Sequence, residues 1–378
     1  MPSFQPFAME RWQSTYENRV AYNLSESGVH PLSLRELLEL SGSGDIADTL
    51  LGYGQSNGSD ELRAHIAALY PHCSDECVVA ANGSAEANFI AIWELVQPGD
   101  EIAIVVPTYM QTYGLAQNFG VQVREIWLHE AAGWQPDPAE VAAAINERTR
   151  VVVVTNPNNP TGAILRPAGR KAIIEAARRV GAWILADEVY SGAELNGIET
   201  PSFFGEYERV VATGSLSKAY GLPGLRIGWA VAPPEMAARL WARKDYLTIS
   251  PGELTDSMAR RALDPAVRSR ILERTRRILH AGLAITEAWL RTSEIFTYTP
   301  PEAGAICYAR YALSVNSRVL AERLRADHSV LIVPGDHFAM DGYVRIGYGL
   351  EDAALKRALA GFSACLESLA QTVSQTAD

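Results

Sequence analysis

The chain has 378 residues, 48% of them apolar, and a formal net charge of −11. That length and apolar content allow a large buried core and fit two domains better than one, while the acidity excludes the basic field that would draw in nucleic acid or anionic lipid. The cysteines (Cys73, Cys77, Cys307 and Cys365) are too scattered for a disulfide framework and lack the histidine partners of a metal site. The start, MPSFQPFAMERW, has no signal-peptide pattern and no long apolar run occurs anywhere, so a cytoplasmic protein without a membrane segment is expected.

In chain order, a short helix is expected over Met9 to Arg19, then the loop NLSESGVHP. A second helix covers Glu61 to Tyr70, with Leu62, His65, Ile66 and Leu69 on one face. Alternation follows: a strand at Val78 to Ala81, the turn NGSAEA, a helix through Val96, the strand EIAIVVP (101–107) and a helix from about Met110. The runs VVVVT (151–155), AWILAD (182–187) and VVATG (210–214) are continuously apolar, as in a parallel sheet covered by helices on both faces. They lead into the polar motifs NPNNPTG, DEVY and SLSK. Ligands of open parallel sheets collect beyond the carboxyl ends of the strands, so these motifs should share one crevice. After Pro265 a long helix is expected with Ile271, Ile278, Ala281, Ile285 and Trp289 near its buried face, and Arg268, Arg270, Arg274, Arg276 and Arg277 on a solvated one. The strand candidates IFTYTP, GAICYARY, VLIVPG and YVRIGYG, and a last helix carrying Leu355, Leu359, Phe362, Leu366 and Leu369, make an α+β second domain.

The chemistry centres on SLSKAYGLPGLRIG (215–228), where Lys218 lies between the hydroxyl of Ser215 and the guanidinium of Arg226. A nucleophilic amine beside groups suited to a phosphate resembles the pyridoxal 5'-phosphate (PLP) lysine segment of fold-type I aminotransferases. Each further need of that cofactor has a candidate. Gly83, Ser84 and Ala85 open a helix whose free amides favour an anion, with Ser215, Ser217 and Arg226 closing the cup. Asp187 offers the carboxylate that keeps a pyridine nitrogen protonated, and Asn159 and Tyr190 offer donors to the ring oxygen. Tyr109 offers an aromatic plate, although Tyr109 and Tyr190 taken singly read better as core aromatics. Arg345, in YVRIGYG, suits a substrate carboxylate, since its planar fork binds carboxylates in a bidentate manner.

Asn159-Pro160-x-Gly162, Asp187-x-x-Tyr190, Ser215-x-x-Lys218 with Arg226, and Arg345 occur in the order seen in class I/II aminotransferases, which the chain resembles over almost its whole length. The resemblance implies the α/β architecture of PLP-dependent fold type I. It implies a large PLP-binding domain (46–290) with a mainly parallel seven-stranded sheet, and a smaller α+β domain from 1–45 together with 291–378. It also implies a homodimer in which Tyr53 reaches the neighbour's phosphate.

A narrower likeness lies in MERW, NLSESGVHPLSLREL, GSLSKAYGLPGLRIGW with KDYLTIS, and LIVPGDHF, which look like the capreomycidine synthase group, makers of cyclic guanidino amino acids from hydroxylated arginine. On that likeness Glu10 matches an acid near the substrate guanidinium. Ser27, Gly28 and His30 match the SGVH loop, and His30, alongside Lys218, is a candidate acid for a departing hydroxyl. DEVY keeps the ordinary aminotransferase form.

The expected activity is cyclodehydration of a hydroxylated L-arginine to a capreomycidine- or enduracididine-like product, a PLP-dependent lyase reaction. Lys218 takes the Cα proton, the hydroxyl leaves, and the tethered guanidine adds with high effective concentration. Asn159 and Arg345 hold the substrate. Amino transfer to a 2-oxo acid is the alternative. A non-catalytic effector-binding domain ranks third, because no basic DNA-binding module is read ahead of the fold.

Overall fold

The computed structural model describes residues 4–42 and 46–376. Its main sheet has eight strands in the order Val78–Ala81, Gly228–Val231, Val210–Ser215, Trp183–Asp187, Thr149–Thr155, Glu101–Val106, Gln122–His129 and Gln135–Pro136. The strands from Val210–Ser215 through Gln122–His129 are mutually parallel, and the remaining edge strands pair antiparallel. The eighth strand, absent from the expectation of seven, is the two-residue Gln135–Pro136 beside Leu128 and His129.

The apolar runs behave as a doubly covered sheet requires. Val152 and Val154 join the core on one face while Val151 and Val153 join the core on the other. Side chains alternate along a strand, so burial on both faces demands an uninterrupted apolar sequence.

A second, four-stranded antiparallel sheet runs in the order Phe296–Tyr298, Ile306–Tyr311, Tyr343–Gly347 and Val333–Pro334. The beginning of the chain is attached to this end of the molecule: Tyr22–Asn23 pairs in parallel with Val330–Leu331. The Gly347 amide donates to Leu24 O at 2.7 Å. A Cβ on Gly347 would collide with the carbonyl of Glu26, so glycine permits this close approach. Residues 43–45, where the expected domain boundary falls, lie outside the described residues.

The long helix, Pro265–Leu290, differs from expectation in the face it buries. Val267, Ile271, Leu272, Thr275, Leu279, Gly282, Thr286 and Leu290 are buried, whereas Ile278, Ile285 and Trp289 sit at the margin of the core. Small residues form the seam: a side chain at Gly282 would meet the backbone of Tyr348. Hydrophobic periodicity undercounts such a face because Thr and Gly do not register as apolar. Its arginines are not simply solvated either. Arg268 donates to the Tyr220 hydroxyl at 2.9 Å and Arg270 to Leu40 O at 2.7 Å. Among the described residues, no helix is long and apolar enough to cross a membrane.

Candidate active site

The strand ends, one helix start and the first residues of the chain enclose a cavity of about 380 Å³. Helix Ser84–Leu95 starts after Gly83, whose φ of 86° favours glycine. A Cβ on Gly83 would collide with Arg226 Nη2, and one on Gly228 with the Ser84 amide. Two glycines thus let a guanidinium and a strand close onto the start of a 12-residue helix, where free amides already favour an anion. Ser84, Ala85, Ser217 and Arg226 all line the cavity.

Asp187 ends its strand buried, at the edge of the cavity. Burial pushes its pKa up, opposed by a 2.9 Å hydrogen bond from Asn88 Nδ2, a 3.2 Å bond from the Val189 amide and the Lys218 charge. Asn88 is itself oriented by the Thr213 hydroxyl, which donates to its Oδ1 at 2.8 Å. Sequence reasoning missed Asn88; its signal is a lone amide within the apolar helix SAEANFIAIW. Arg345 is 1% exposed. Its Nη1 donates to Asn159 Oδ1 at 2.9 Å and its Nη2 to Ser25 O, whereas Nε has no partner among the described residues. Asn159 therefore spends its carbonyl oxygen on the arginine and keeps its amide as a donor.

Lys218 Nζ lies 2.7 Å from Glu26 Oε1. The same oxygen accepts the amides of Ser27 at 2.8 Å and Gly28 at 2.9 Å. Burial would raise the Glu26 carboxyl, but the ammonium and the two amides outweigh it and bring its pKa to about 2. Burial would lower the lysine; the Glu26 charge and hydrogen bond together with Tyr190 outweigh it, and its pKa is raised. Tyr190 is buried and donates to Ser27 Oγ at 2.9 Å, so its hydroxyl is not idle beside the cavity. Gly28 backs the lysine: a Cβ there would stand 3.3 Å from Lys218 Cα.

The remaining wall is acidic. Helix Ala8–Tyr16 and its C-cap carry Glu10, Gln13 and Glu17, spaced for one helical face, and all three line the cavity with Glu26 and Tyr109. The Tyr109 hydroxyl donates to Glu10 Oε1 at 2.8 Å, which joins the expected aromatic plate to the expected guanidinium partner. Glu17 is raised by burial and by the neighbouring Glu26 and Glu10 charges. Glu17 and Glu26 were missed by sequence reasoning; the spacing from Glu10 could have found the first.

Three expected residues lie elsewhere. His30 does not line the cavity: its Nδ1 is 3.0 Å from Arg274 Nη2 and its Nε2 3.2 Å from Glu351. Ser215 lines a neighbouring cavity with Tyr70, Glu188 and Tyr220, and accepts the Ser217 amide at 3.2 Å. Tyr53 is 89% exposed, away from this chain's own cavity.

An amine held by a carboxylate, a buried aspartate, an anion cup on a helix start and a buried arginine fit the parts of PLP and of an amino acid. This set, on a mixed sheet whose central strands are parallel, defines a PLP-dependent enzyme of fold type I, acting on an amino-acid substrate. The chain belongs to the aminotransferase class I and II family, whose model matches residues 35–362. It is 33% identical to capreomycidine synthase of Streptomyces vinaceus, across 94% of this chain and 92% of that protein. It is 26% identical to an arginine–pyruvate transaminase of Pseudomonas aeruginosa, across 84% and 83%. Among solved structures, a PLP-dependent aminotransferase from Streptococcus suis superposes with a TM-score of 0.91 at 33% identity, covering 97% of this chain and 98% of that one. The PLP-dependent cyclase OrfR superposes with 0.88 at 26% identity, covering 96% and 97%.

Proposed function

We propose that the substrate is an amino acid with a cationic, guanidinium-type side chain. The observation that carries this reading is the placement of Glu10 and Glu17 in one cavity with the buried Arg345. Arg345 binds the α-carboxylate through its fork, and Glu10 with Glu17 faces the side-chain cation, so the two ends of an arginine-like molecule meet opposite charges. When bound, PLP supplies the electron sink for the pair left on Cα. Ser84, Ala85, Ser217 and Arg226 hold its phosphate. Asp187 holds a proton at the ring nitrogen, and Lys218 Nζ takes the proton from Cα. Asn159 clamps Arg345 so that its fork keeps one orientation.

Amino transfer from such an amino acid to a 2-oxo acid is the outcome supported by the transaminase from Pseudomonas and by the family as a whole. Cyclodehydration of a hydroxylated arginine is the second reading. It is favoured by the 33% identity with capreomycidine synthase along nearly the full chain, and by Glu10 standing ready for a guanidinium beside Tyr109. With His30 outside the cavity, Lys218 in its ammonium form is the acid for the departing hydroxyl in that reading.

Incubation with arginine, 3-hydroxyarginine and 4-hydroxyarginine, with and without pyruvate or 2-oxoglutarate, separates the two by mass spectrometry. A 2-oxo acid formed in step with amino transfer establishes the first. A product lighter by one water that retains the α-amino nitrogen establishes the second. Turnover of neutral or acidic amino acids in preference to all three overturns the substrate class.

The implied homodimer belongs to the same proposal. Leu50, Leu51 and Tyr53 are exposed at 85%, 85% and 89%, an apolar surface suited to a second copy. Light scattering that returns a monomer would remove it.

A further inference from the structure

We infer that Glu26 is a positioning residue that holds Lys218 Nζ as its ammonium before the lysine is bonded to the cofactor, and again once the lysine has taken the proton from Cα. The inference rests on the assignment of Lys218 as the cofactor-bearing lysine. Its basis is the geometry: one carboxylate oxygen accepts Lys218 Nζ at 2.7 Å and the Ser27 and Gly28 amides at 2.8 and 2.9 Å. The backbone beside those amides is closely packed: the Gly347 amide donates to Leu24 O, and the Gly347 backbone lies on the Glu26 carbonyl with no room for a side chain. To follow the lysine away, the carboxylate would have to give up its bonds to both amides.

The other charged and titratable groups around the lysine do not supply the same hold. Arg345 opposes the ammonium, whereas Tyr190 acts in the same direction as Glu26. Asp187 is committed to Asn88 and the Val189 amide, Glu10 to Tyr109, and Glu17 is raised rather than lowered. Glu26 alone of these carboxylates, among the described residues, is hydrogen-bonded to Nζ and carries a depressed pKa.

The consequence is chemical. A lysine that has taken the Cα proton is stabilised as the acid, ready to deliver that proton to the next acceptor, whether a carbon in amino transfer or a departing hydroxyl in dehydration. The cost falls on capture of the cofactor. Nζ must first lose a proton to solvent; its lone pair then forms the bond to the aldehyde carbon, and the aldehyde oxygen leaves as water with the two remaining amine protons. Only the neutral amine can begin this step, so Glu26 sets the pH at which capture becomes fast.

The experiment follows the rise of visible absorbance when PLP is mixed with the full-length apoprotein between pH ~6 and pH ~10, in the wild type, Glu26→Gln and Glu26→Asp. The glutamine variant should capture PLP along a profile displaced to lower pH by at least about one unit, which is roughly tenfold faster on the rising limb. The aspartate variant, with a shorter reach, should shift in the same direction by less. Should the glutamine variant not fold, the aspartate profile decides alone, and coincidence with the wild type overturns the proposal. Profiles that superimpose, or that move to higher pH, also overturn it. A visible band that forms equally in Lys218→Ala overturns the lysine assignment instead, so the two failures are distinguishable.

Discussion

The two walls of the proposed active-site cavity, one assigned to cofactor and one to substrate, are made from different kinds of structure. The cofactor wall is made of strand ends, the turns beyond them and one helix start: Asp187 closes a central strand, Ser84 opens a helix, and Lys218 and Arg226 flank the turn beyond Val210–Ser215. The substrate wall, with Glu10 and Glu17, comes from the first residues of the chain, which are tied to the far end through Tyr22–Asn23 and Gly347. A sheet with both faces packed holds its strand ends in one geometry, which suits a cofactor whose demands do not vary. A short helix and loop laid across that sheet can change their charges without disturbing the core, which suits selection among substrates.

Changes in the cofactor wall should therefore act on the chemical step, and changes in the substrate wall on recognition. The largest effect is expected for Lys218→Ala, which should remove the visible cofactor band and lower turnover by about 10⁴-fold; a retained, borohydride-reducible adduct would show that another amine serves. Asp187→Asn comes next, with a loss in kcat of about 10³-fold and little change in KM, because a neutral amide no longer holds the ring nitrogen's proton. A normal kcat in this variant would break the assignment.

On the line between the walls, Arg345→Lys should raise KM about 10- to 100-fold with a smaller change in kcat, the lysine being unable to bind a carboxylate with two parallel bonds. Glu10→Gln with Glu17→Gln should raise KM for arginine about tenfold while leaving citrulline, its neutral isostere, unchanged. Equal losses for both amino acids would mean that these acids support the fold rather than read the charge.

The smallest effect lies behind the cofactor wall. Glu188 is buried, accepts the Phe203 amide at 2.8 Å and the Ser202 hydroxyl at 3.0 Å, and burial raises its pKa to about 7. An acid whose folded pKa exceeds its unfolded value contributes stability that is complete below the unfolded pKa and lost as pH rises through the folded one. The melting temperature should thus decline from pH ~5 to pH ~8, and Glu188→Gln should flatten that decline by a few degrees, on the order expected for 1–2 kcal/mol. An unchanged slope in calorimetry would locate the pH dependence in another group.

That Lys218, Asp187, Asn159 and Arg226 share one cavity could be read in advance because their segments are local. Lys218, Asp187, Asn159 and Arg226 each sit in a short motif at the end of an apolar run, and a doubly covered parallel sheet delivers all such ends to one crevice. Arg345 was legible from its residue type within a strand. The substrate wall was legible only in part. Glu10 came from a likeness between segments, whereas Glu17 shares its helical face and was passed over. Glu26 gave no sign, since its partner Lys218 stands 192 residues further along.

The chain's own pattern of apolar runs and polar motifs determined the α/β class, the parallel strands and the choice of Lys218 as the proposed reactive lysine. Those features follow from periodicities and local chemistry that a short stretch carries within itself. Only the tertiary structure decided that Glu26 faces the lysine, that His30 is turned instead to Arg274 and Glu351, and that the long helix buries Thr275, Gly282 and Thr286 while Ile278, Ile285 and Trp289 stay at the margin of the core. Each of these depends on how closely two distant backbones approach, as Gly347 does Glu26 and Gly282 does Tyr348. That distance is set by packing across the whole molecule, which no local pattern encodes.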